Sequence, residues 1–569
     1  MNVFRIARSR ITLAAYLLLL LTVLLPSVMA ASSTSGIWEP PEMPSWAVPA
    51  SFAILIAVYT LIIFEVVHRA LAAALGGVAA VVTLHFIGDG PDLGTIVTWI
   101  DEETIGLLIG MMVIVDILGK TGVFEWAAVQ AYALSGGSIW RLSVILCTIT
   151  AVFSAFLDNV TTILLIVPVT IQIAKVLDLE PVPLIIAEVM FSNIGGAATQ
   201  IGDPPNIIIG AQLSTQALSG TGLADQGITF LDFIIHVGPA VVIAMAPSFW
   251  LLSKLESNGL SGEKHRNVDL LRLRYGIKDV NLLKKSGAIL AIVIISFFAH
   301  SAFHHPLLTV ATIALGGAVL MLLVTSPHHV EEQLDGVEWT TIIFFAGLFI
   351  MIHGLENMGM IDTIADGISD TIKGASEQNR LMVSVLLLLW VSAIASAFID
   401  NIPYTATMVP VVIKLAEDPE LGLQLGPLAW ALALGACLGG NGTIIGASAN
   451  VVAAGLAEES GHDISFNRFF KTGYPIMLLS VALATVYCVV RYAIQWDNGL
   501  IPATIIGVMM LASLSLTPMI YGPPPRDSKI DYELEGVDGG SNNHSMRCLW
   551  DGATSNRNMS CLRPQSKNS

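Results

Sequence analysis

Charge is what this sequence has least of. Among its 569 residues, 12% are charged and 54% are hydrophobic. A soluble domain carries about twice that charged share, which excludes an ordinary globular enzyme. Bases are scarcer than acids, 27 against 44, for a net charge of −17. No basic face exists to meet phosphates, so no nucleic-acid partner is expected. Cysteine is sparse and scattered. Cys147, Cys437 and Cys488 fall in apolar stretches and read as small buried hydrophobes. Cys548 and Cys561 lie in the polar tail, where they could pair only in a lumen. No CxxC or His/Cys cluster has ligand spacing, so no metal and no cofactor are expected. A GxxxxGK[ST] phosphate loop is also missing, which excludes ATP-driven transport within the chain itself. An intramembrane aspartyl protease would need GxGD, and Gln200-Ile201-Gly202-Asp203 does not match it.

What the chain has instead is apolar runs near the roughly 20 residues a helix needs to cross hydrocarbon. They cover 47–67, 69–88, 229–252, 286–303, 307–325, 470–492 and 500–519. The fold class is therefore an all-α polytopic membrane protein. Residues 1–30 begin with Arg5, Arg8 and Arg10, continue through an apolar run, and end on small residues. That is the layout of a secretory signal peptide, with an uncleaved signal anchor as the competing reading. The stretch 253–285 holds eight Lys or Arg against four acids and reads as a cytoplasmic basic loop. Residues 88–103 carry acids and no base, which suits the opposite face. The tail 520–569 is Gly-, Pro-, Asn- and Ser-rich and reads as disordered and cytoplasmic, its sequons at Asn543 and Asn558 being chance.

Internal repetition is the strongest signal. ETIGLLIGMMVIVDILGKTGVF (103–124) aligns with TTIIFFAGLFIMIHGLENMGMI (340–361) at an offset of 237. SAFLDNVTTILLIVPV aligns with SAFIDNIPYTATMVPV at 242, and NIGGAATQIGDPPN with CLGGNGTIIGASAN at 244. Three blocks in one order define a first transmembrane repeat over 47–252 and a second over 286–492, with a final helix at 500–519. An odd number of crossings in each makes the repeats inverted, for about 11 spans beside the N-terminal segment.

Between Arg141 and Lys175, apolar legs of about 16 and 14 residues flank Asp158-Asn159, too short to span comfortably. A re-entrant hairpin fits better, and the second half repeats it around Asp400-Asn401. A turn at that depth persists only where it is buried in protein or lines a wet cavity. An ionisable group there is a functional candidate, although a carboxylate that merely caps the hairpin is the plainer alternative. GGAATQIGDPPN breaks a second helix through its glycines and Pro204-Pro205. The twin GGNGTIIGASAN has no proline and places Ala447 where Asp203 falls. Asp203 thus reads as a titratable ligand or as the cap of the helix restarting at Pro204. Asp116 and His353 occupy equivalent repeat positions and, with Glu188, are candidates for a proton relay. Arg69, Arg141 and Lys175 follow spans and read as topology and headgroup anchors.

These motifs resemble the ion-transporter superfamily, which includes arsenite-pump membrane subunits, sodium/proton antiporters and citrate or dicarboxylate carriers. From about Trp99 to Arg491 the chain is similar to its P-protein branch. The resemblance implies two inverted repeats with re-entrant hairpins and broken helices, often dimeric, alternating as an elevator. It implies that Asp158, Asn159, Asn206, Asp400, Asn401, Thr405, Asn441 and Asn450 line the site. Thr161, Thr199, Asp203 and Thr443 in the same motifs complete the candidate set, with Asp158 and Asp400 coupling protons. The implied role is chloride-like anion flux linked to organelle pH in an acidic or pigment-type organelle or the plasma membrane. Sodium/proton antiport is the alternative, since titratable acids suit either, with a dicarboxylate or arsenite carrier behind it. The expected partners are a small inorganic ion, the lipid bilayer and a second copy in a homodimer. One departure matters: Asp-Asn stands where di- and tricarboxylate carriers have Ser-Asn-Thr, and a fixed negative charge repels a carboxylate.

Overall fold

The protein is described from a computed structural model over residues 43–88, 90–264, 275–301, 308–493, 547–549 and 560–562. The expected N-terminal signal segment and the expected helix at 500–519 lie outside the described residues. Among the described residues, eighteen helices of nine residues or more fall into two sets of nine in the same order. The first set is α1 (Ala47–Ile63), α2 (Arg69–Ile87), α3 (Glu102–Gly119), α4 (Val123–Ser135), α5 (Ile139–Phe156), α6 (Asn159–Leu177), α7 (Val182–Gly196), α8 (Pro204–Gln212) and α9 (Gly238–Leu255). The second is α10 (Val280–Ser301), α11 (Val310–Thr325), α12 (Trp339–Asn357), α13 (Met360–Lys373), α14 (Arg380–Phe398), α15 (Asn401–Glu417), α16 (Leu425–Gly439), α17 (Ser448–Glu459) and α18 (Phe466–Cys488). Eight of the described helices are long and apolar enough to cross a membrane, or up to nine when the bent α3–α4 pair is taken as one span.

Those eight are α2, α5, α6, α9, α10, α12, α14 and α18, so the legs α5, α6 and α14 of the expected hairpins are themselves long enough to cross. The bend after α3 is 59° and is made at Gly122, whose φ of +81° only glycine adopts freely. Its counterpart Gly359 has φ +82°. Equal left-handed angles 237 residues apart show that the duplication extends to single backbone dihedrals.

The repeats are interleaved rather than set side by side. Helix α2 packs on α12, and α3 packs on α11. Hydrocarbon removes most of the hydrophobic drive between helices, so close approach through small residues has to supply the cohesion. A Cβ on Gly347 would lie 2.7 Å from the Ala74 backbone nitrogen, and one on Gly110 would lie 2.6 Å from the Ala314 carbonyl carbon. The same glycine thus makes the same contact in both halves.

Around the motifs, α5 packs on α7 and α14 on α16. Across the repeats, α8 lies on α15 and α17 on α6. The hairpin legs are longer than the sequence suggested. Ser138 Oγ caps α5 at the Arg141 amide (3.4 Å), ahead of the expected start, giving α5 18 residues, and α6 runs past Lys175 to Leu177 for 19, so neither leg is too short to span. The tips are two extended residues each: Leu157 and Asp158 (ψ 152° and 150°), then Ile399 and Asp400 (ψ 139° and 131°).

The tail forms a separate unit. There β1 (Arg547–Leu549) pairs antiparallel with β2 (Ser560–Leu562), in a register that sets Cys548 opposite Cys561.

Candidate functional site at the hairpin tips and helix breaks

The breaks are held by side-chain amides, not by proline. Asn206 Nδ2 donates to the carbonyls of Gly196, Ala197 and Thr199 at 3.3, 3.2 and 2.9 Å. Asn450 Nδ2 does the same to Gly440 and Thr443 at 2.7 and 2.9 Å. Carbonyls freed from helical pairing are thereby satisfied without water. Thr199 Oγ1 donates to the Ala155 carbonyl, and Thr443 Oγ1 to that of Ala397 at 2.5 Å, tying each break to its hairpin. The second break keeps this geometry with glycines and no proline, while in the first Pro204-Pro205 open α8. Asp203 has φ −147° and ψ 135°, and its twin Ala447 has −148° and 144°.

Asp158 and Asp400 stand at the N-caps of α6 and α15. Asp158 Oδ1 accepts from the Val160 amide at 2.8 Å and Oδ2 from that of Thr161 at 3.2 Å, with Thr161 Oγ1 also donating to Oδ2. Asp400 Oδ1 accepts from the Ile402 amide at 3.0 Å, and Oδ2 from Ser448 Oγ at 2.9 Å. Each carboxylate satisfies orphan donors of a helix start and sits at the positive end of its dipole. The capping role, the plainer alternative for these residues, is thus real in both.

Asp203 behaves in the opposite way. It occupies the N-cap position of α8 but makes no side-chain cap bond. Its Oδ1 accepts from Asn159 Nδ2 at 3.2 Å and from Asn401 Nδ2 at 3.4 Å. The carboxylate without a twin therefore joins the two hairpin tips. Its Oδ2, with Asn159 Oδ1 and Thr405 Oγ1, is buried without a partner. Buried polar atoms in that condition carry a desolvation cost, which an ion would relieve.

Asn193, absent from the sequence candidates, lies at the centre. It accepts from Asn159 Nδ2 at 3.1 Å and donates to Asn441 Oδ1 at 3.0 Å and Asn450 Oδ1 at 2.9 Å. Asn441 Nδ2 continues to the Met190 carbonyl at 3.2 Å. A single amide in an apolar leg, with Cys437 as its repeat twin, was the only available signal. Cys437 itself donates to Asn206 Oδ1 at 3.2 Å.

Arg69 is the second residue the sequence misplaced. It is turned inward rather than toward headgroups, donating to Ser448 Oγ and, at 3.5 Å, to Thr341 Oγ1. Its guanidinium lies 4.0 Å from Asp400 Oδ2 and 5.6 Å from the Phe344 ring centroid. Nearby, Tyr59 donates to the Pro403 carbonyl at 2.9 Å and shares a 2.8 Å bond with Thr407. Helices α1 and α2 thus both touch the second hairpin.

The relay candidates are not drawn into this cluster. Asp116 pairs with Lys120 at 2.6 Å, and His353 lies 3.4 Å from Glu356 and stacks on Trp99. Glu188 is buried, accepts from Thr170 Oγ1 at 2.7 Å, and has a second oxygen without a partner. Among the described residues no group of three or more His, Cys, Asp or Glu could hold a metal ion. A cavity of about 220 Å³ lies beside the first break, walled by Glu103, Gln200, Gly210, Ser214, His300 and Thr309. The tip carboxylates do not line it.

With interleaved repeats, paired hairpin tips and paired breaks in place, the comparison with known proteins is direct. Residues 59–435 match the profile of the citrate transporter family. The chain belongs to that family. It is 42% identical to the P protein of Homo sapiens over 78% of this chain and 60% of that protein, and equally identical to that of Sus scrofa, of which it covers 59%. The chain therefore spans about three fifths of the length of these relatives. An uncharacterized transporter of Mycobacterium tuberculosis is 41% identical over 77% of this chain and 97% of its own. Among solved structures, the YdaH transporter of Alcanivorax borkumensis, described as having an unusual topology, superposes with a TM-score of 0.52. It covers 76% of this chain and 99% of that one at 12% identity, a likeness of fold alone. The protein is a multi-span membrane protein of a family of secondary transporters.

Proposed function

We propose that the chain is a secondary transporter of a small ion, moving a chloride-like anion in step with the pH of its compartment. Asp158 and Asp400 are its coupling carboxylates. The observation that carries the small-ion reading is Asp203, whose Oδ1 receives Asn159 from one hairpin tip and Asn401 from the other. A change of charge at Asp203, by a proton or a neighbouring ion, is sensed by both repeats at once, which is what alternating access around a central site requires. The likeness to P proteins supports the anion. The Asp-Asn tips weigh more against citrate than against a singly charged anion, because repulsion from two carboxylates grows with the charge of the substrate.

Sodium/proton antiport is the second reading. It is favoured by the partnerless buried atoms Asp203 Oδ2, Asn159 Oδ1 and Thr405 Oγ1, oxygens of the kind a small cation prefers. The remaining parts of the proposal are topological. The 1–30 segment directs the chain to a secretory-type or inner membrane, the 253–285 loop and the tail are cytoplasmic, and two copies form the working unit in an acidic organelle membrane.

The test is ion flux in proteoliposomes of the purified chain, with chloride and sodium gradients imposed separately and internal pH recorded. Asp158→Asn and Asp400→Asn are the informative variants, since Asn caps a helix about as well as Asp and removes only the charge. The expected result is wild-type chloride flux that depends on pH and variants in which that dependence is lost. Variants keeping the wild-type pH profile would overturn the coupling role, and sodium-driven proton movement indifferent to chloride would establish the antiporter.

A further inference from the structure

Arg69 has chemistry that neither capping nor topology uses. It is the first residue of α2, at the positive end of a 19-residue helix, where a cation is electrostatically disfavoured. Its closest partners are neutral: the hydroxyls of Ser448 and Thr341 and the face of Phe344. The carboxylate it faces, Asp400, stays at 4.0 Å with Ser448 Oγ bonded to both. No other Lys or Arg among the described residues bonds to a tip carboxylate.

Three helix starts meet at this point. Arg69 begins α2, Ser448 begins α17, and Asp400 caps α15, helices of 19, 12 and 17 residues. Their dipoles all present positive ends to the space around Ser448. The titratable and charged groups around Arg69 and Asp400 are Asp158 at the other tip, Asp203 at the first break, Glu338 ahead of α12, Tyr404 on α15 and Tyr59 on α1. Glu338 is engaged by Thr341 Oγ1 at 2.9 Å. A guanidinium offers five donors in a planar fork, and here only two reach an acceptor within 3.5 Å.

We propose that Arg69 is the selectivity residue of the site: with Ser448 Oγ and the starts of α15 and α17 it forms the seat of a small inorganic anion. A proton on Asp400 removes the carboxylate charge nearest the guanidinium, which then turns its free donors to the anion, and loss of that proton expels it. Proton and anion therefore travel together, and the sign of the transported ion is set by this one side chain. This role rests on the anion reading above and adds to it the residue that selects the anion.

The experiment uses the purified full-length chain, with chloride alone as the probe and gluconate as the inert counterpart at fixed ionic strength. Chloride flux and chloride-dependent thermal stabilisation are measured for the wild type, Arg69→Lys, Arg69→Gln and the double variant Arg69→Gln/Asp400→Asn. Removing a charge-assisted partner of a bound ion should lower chloride flux by about tenfold or more in Arg69→Gln, while Arg69→Lys, retaining the charge, loses only about threefold. The double variant removes the cation together with its nearest carboxylate and so keeps the local charge balance; it folds and is still not stabilised by chloride. Chloride stabilisation and selectivity unchanged in the double variant would overturn the role of Arg69 and leave the anion reading standing. A wild type that moves sodium but no chloride would overturn the anion reading whatever Arg69 does.

Discussion

Asn193 donates a hydrogen bond to Asn441 Oδ1 at 3.0 Å, and that bond joins the helix break of the first repeat to the break of the second. The two residues lie 248 positions apart, in α7 and in the turn after α16. The same amide reaches Asn450 and receives Asn159, so a single side chain holds three of the four motif elements in register.

Asn193→Ala should therefore be costly. It strips the partner from Asn441 Oδ1 and Asn450 Oδ1 and leaves them buried, at about 1–3 kcal/mol for each unsatisfied group. Thermal unfolding in detergent should show the transition lowered by several degrees. An unchanged transition would mean that the amide network contributes nothing net.

The two left-handed glycines should differ in tolerance. Alanine in that conformation costs about 1–2 kcal/mol at either site. A Cβ on Gly122 would also press to 2.9 Å on the Gly276 carbonyl, whereas one on Gly359 meets only Val48 at 3.4 Å. Gly122→Ala should thus destabilise more than Gly359→Ala, as read by the detergent unfolding temperatures of the two variants. The reverse order would contradict the contact.

Glu256 and Arg468 make a bidentate pair at 2.6 Å for both bonds, linking the end of α9 to the start of α18. Glu256 is 4% exposed and Arg468 36%. Arg468→Ala strands a buried carboxylate and should cost about 2–3 kcal/mol, at or below the range for breaking a buried pair because one partner is wetted. Glu256→Ala leaves Arg468 free to reach water and should cost less. Equal losses in the two unfolding measurements would show that burial does not distinguish the partners.

Asp418, in the loop after α15, offers a pH signature. Slight burial pushes its carboxyl up, but Lys373 at 3.1 Å, the Glu420 amide at 2.9 Å and Ser369 at 3.1 Å together hold it below the usual carboxylate range. A depressed folded value means that the stabilisation is present above the unfolded value and disappears as pH falls through the folded one. Acid should thus loosen the α13–α15 contact, and Asp418→Asn should flatten the stability profile in that acidic window. Hydrogen exchange of α13 amides, followed against pH, tests the sign directly.

Much of the architecture was legible in the sequence because its causes are local or periodic. Apolar runs report a solvent of hydrocarbon, and motif copies at offsets of 237 to 244 report a duplication. Asp158 and Asp400 could be picked as special because a carboxylate amid apolar residues needs a reason. The hairpin legs were read too short because a capping Ser138 carries no hydropathy. The glycines and prolines of the first break were legible, but the amides that hold it were not, since an Asn side chain filling carbonyls seven to ten residues back leaves no local pattern.

By itself, then, the sequence determined that the chain lies in a membrane, that it is built twice, and which polar residues interrupt its apolar helices. Only the tertiary structure decided which of them meet. Asp203 finds Asn401 across 198 residues, and Arg69 finds Ser448 across 379. Burial makes every polar atom seek a partner, but the interleaving of α2 with α12 and of α8 with α15 chooses which one, and no local pattern records that choice.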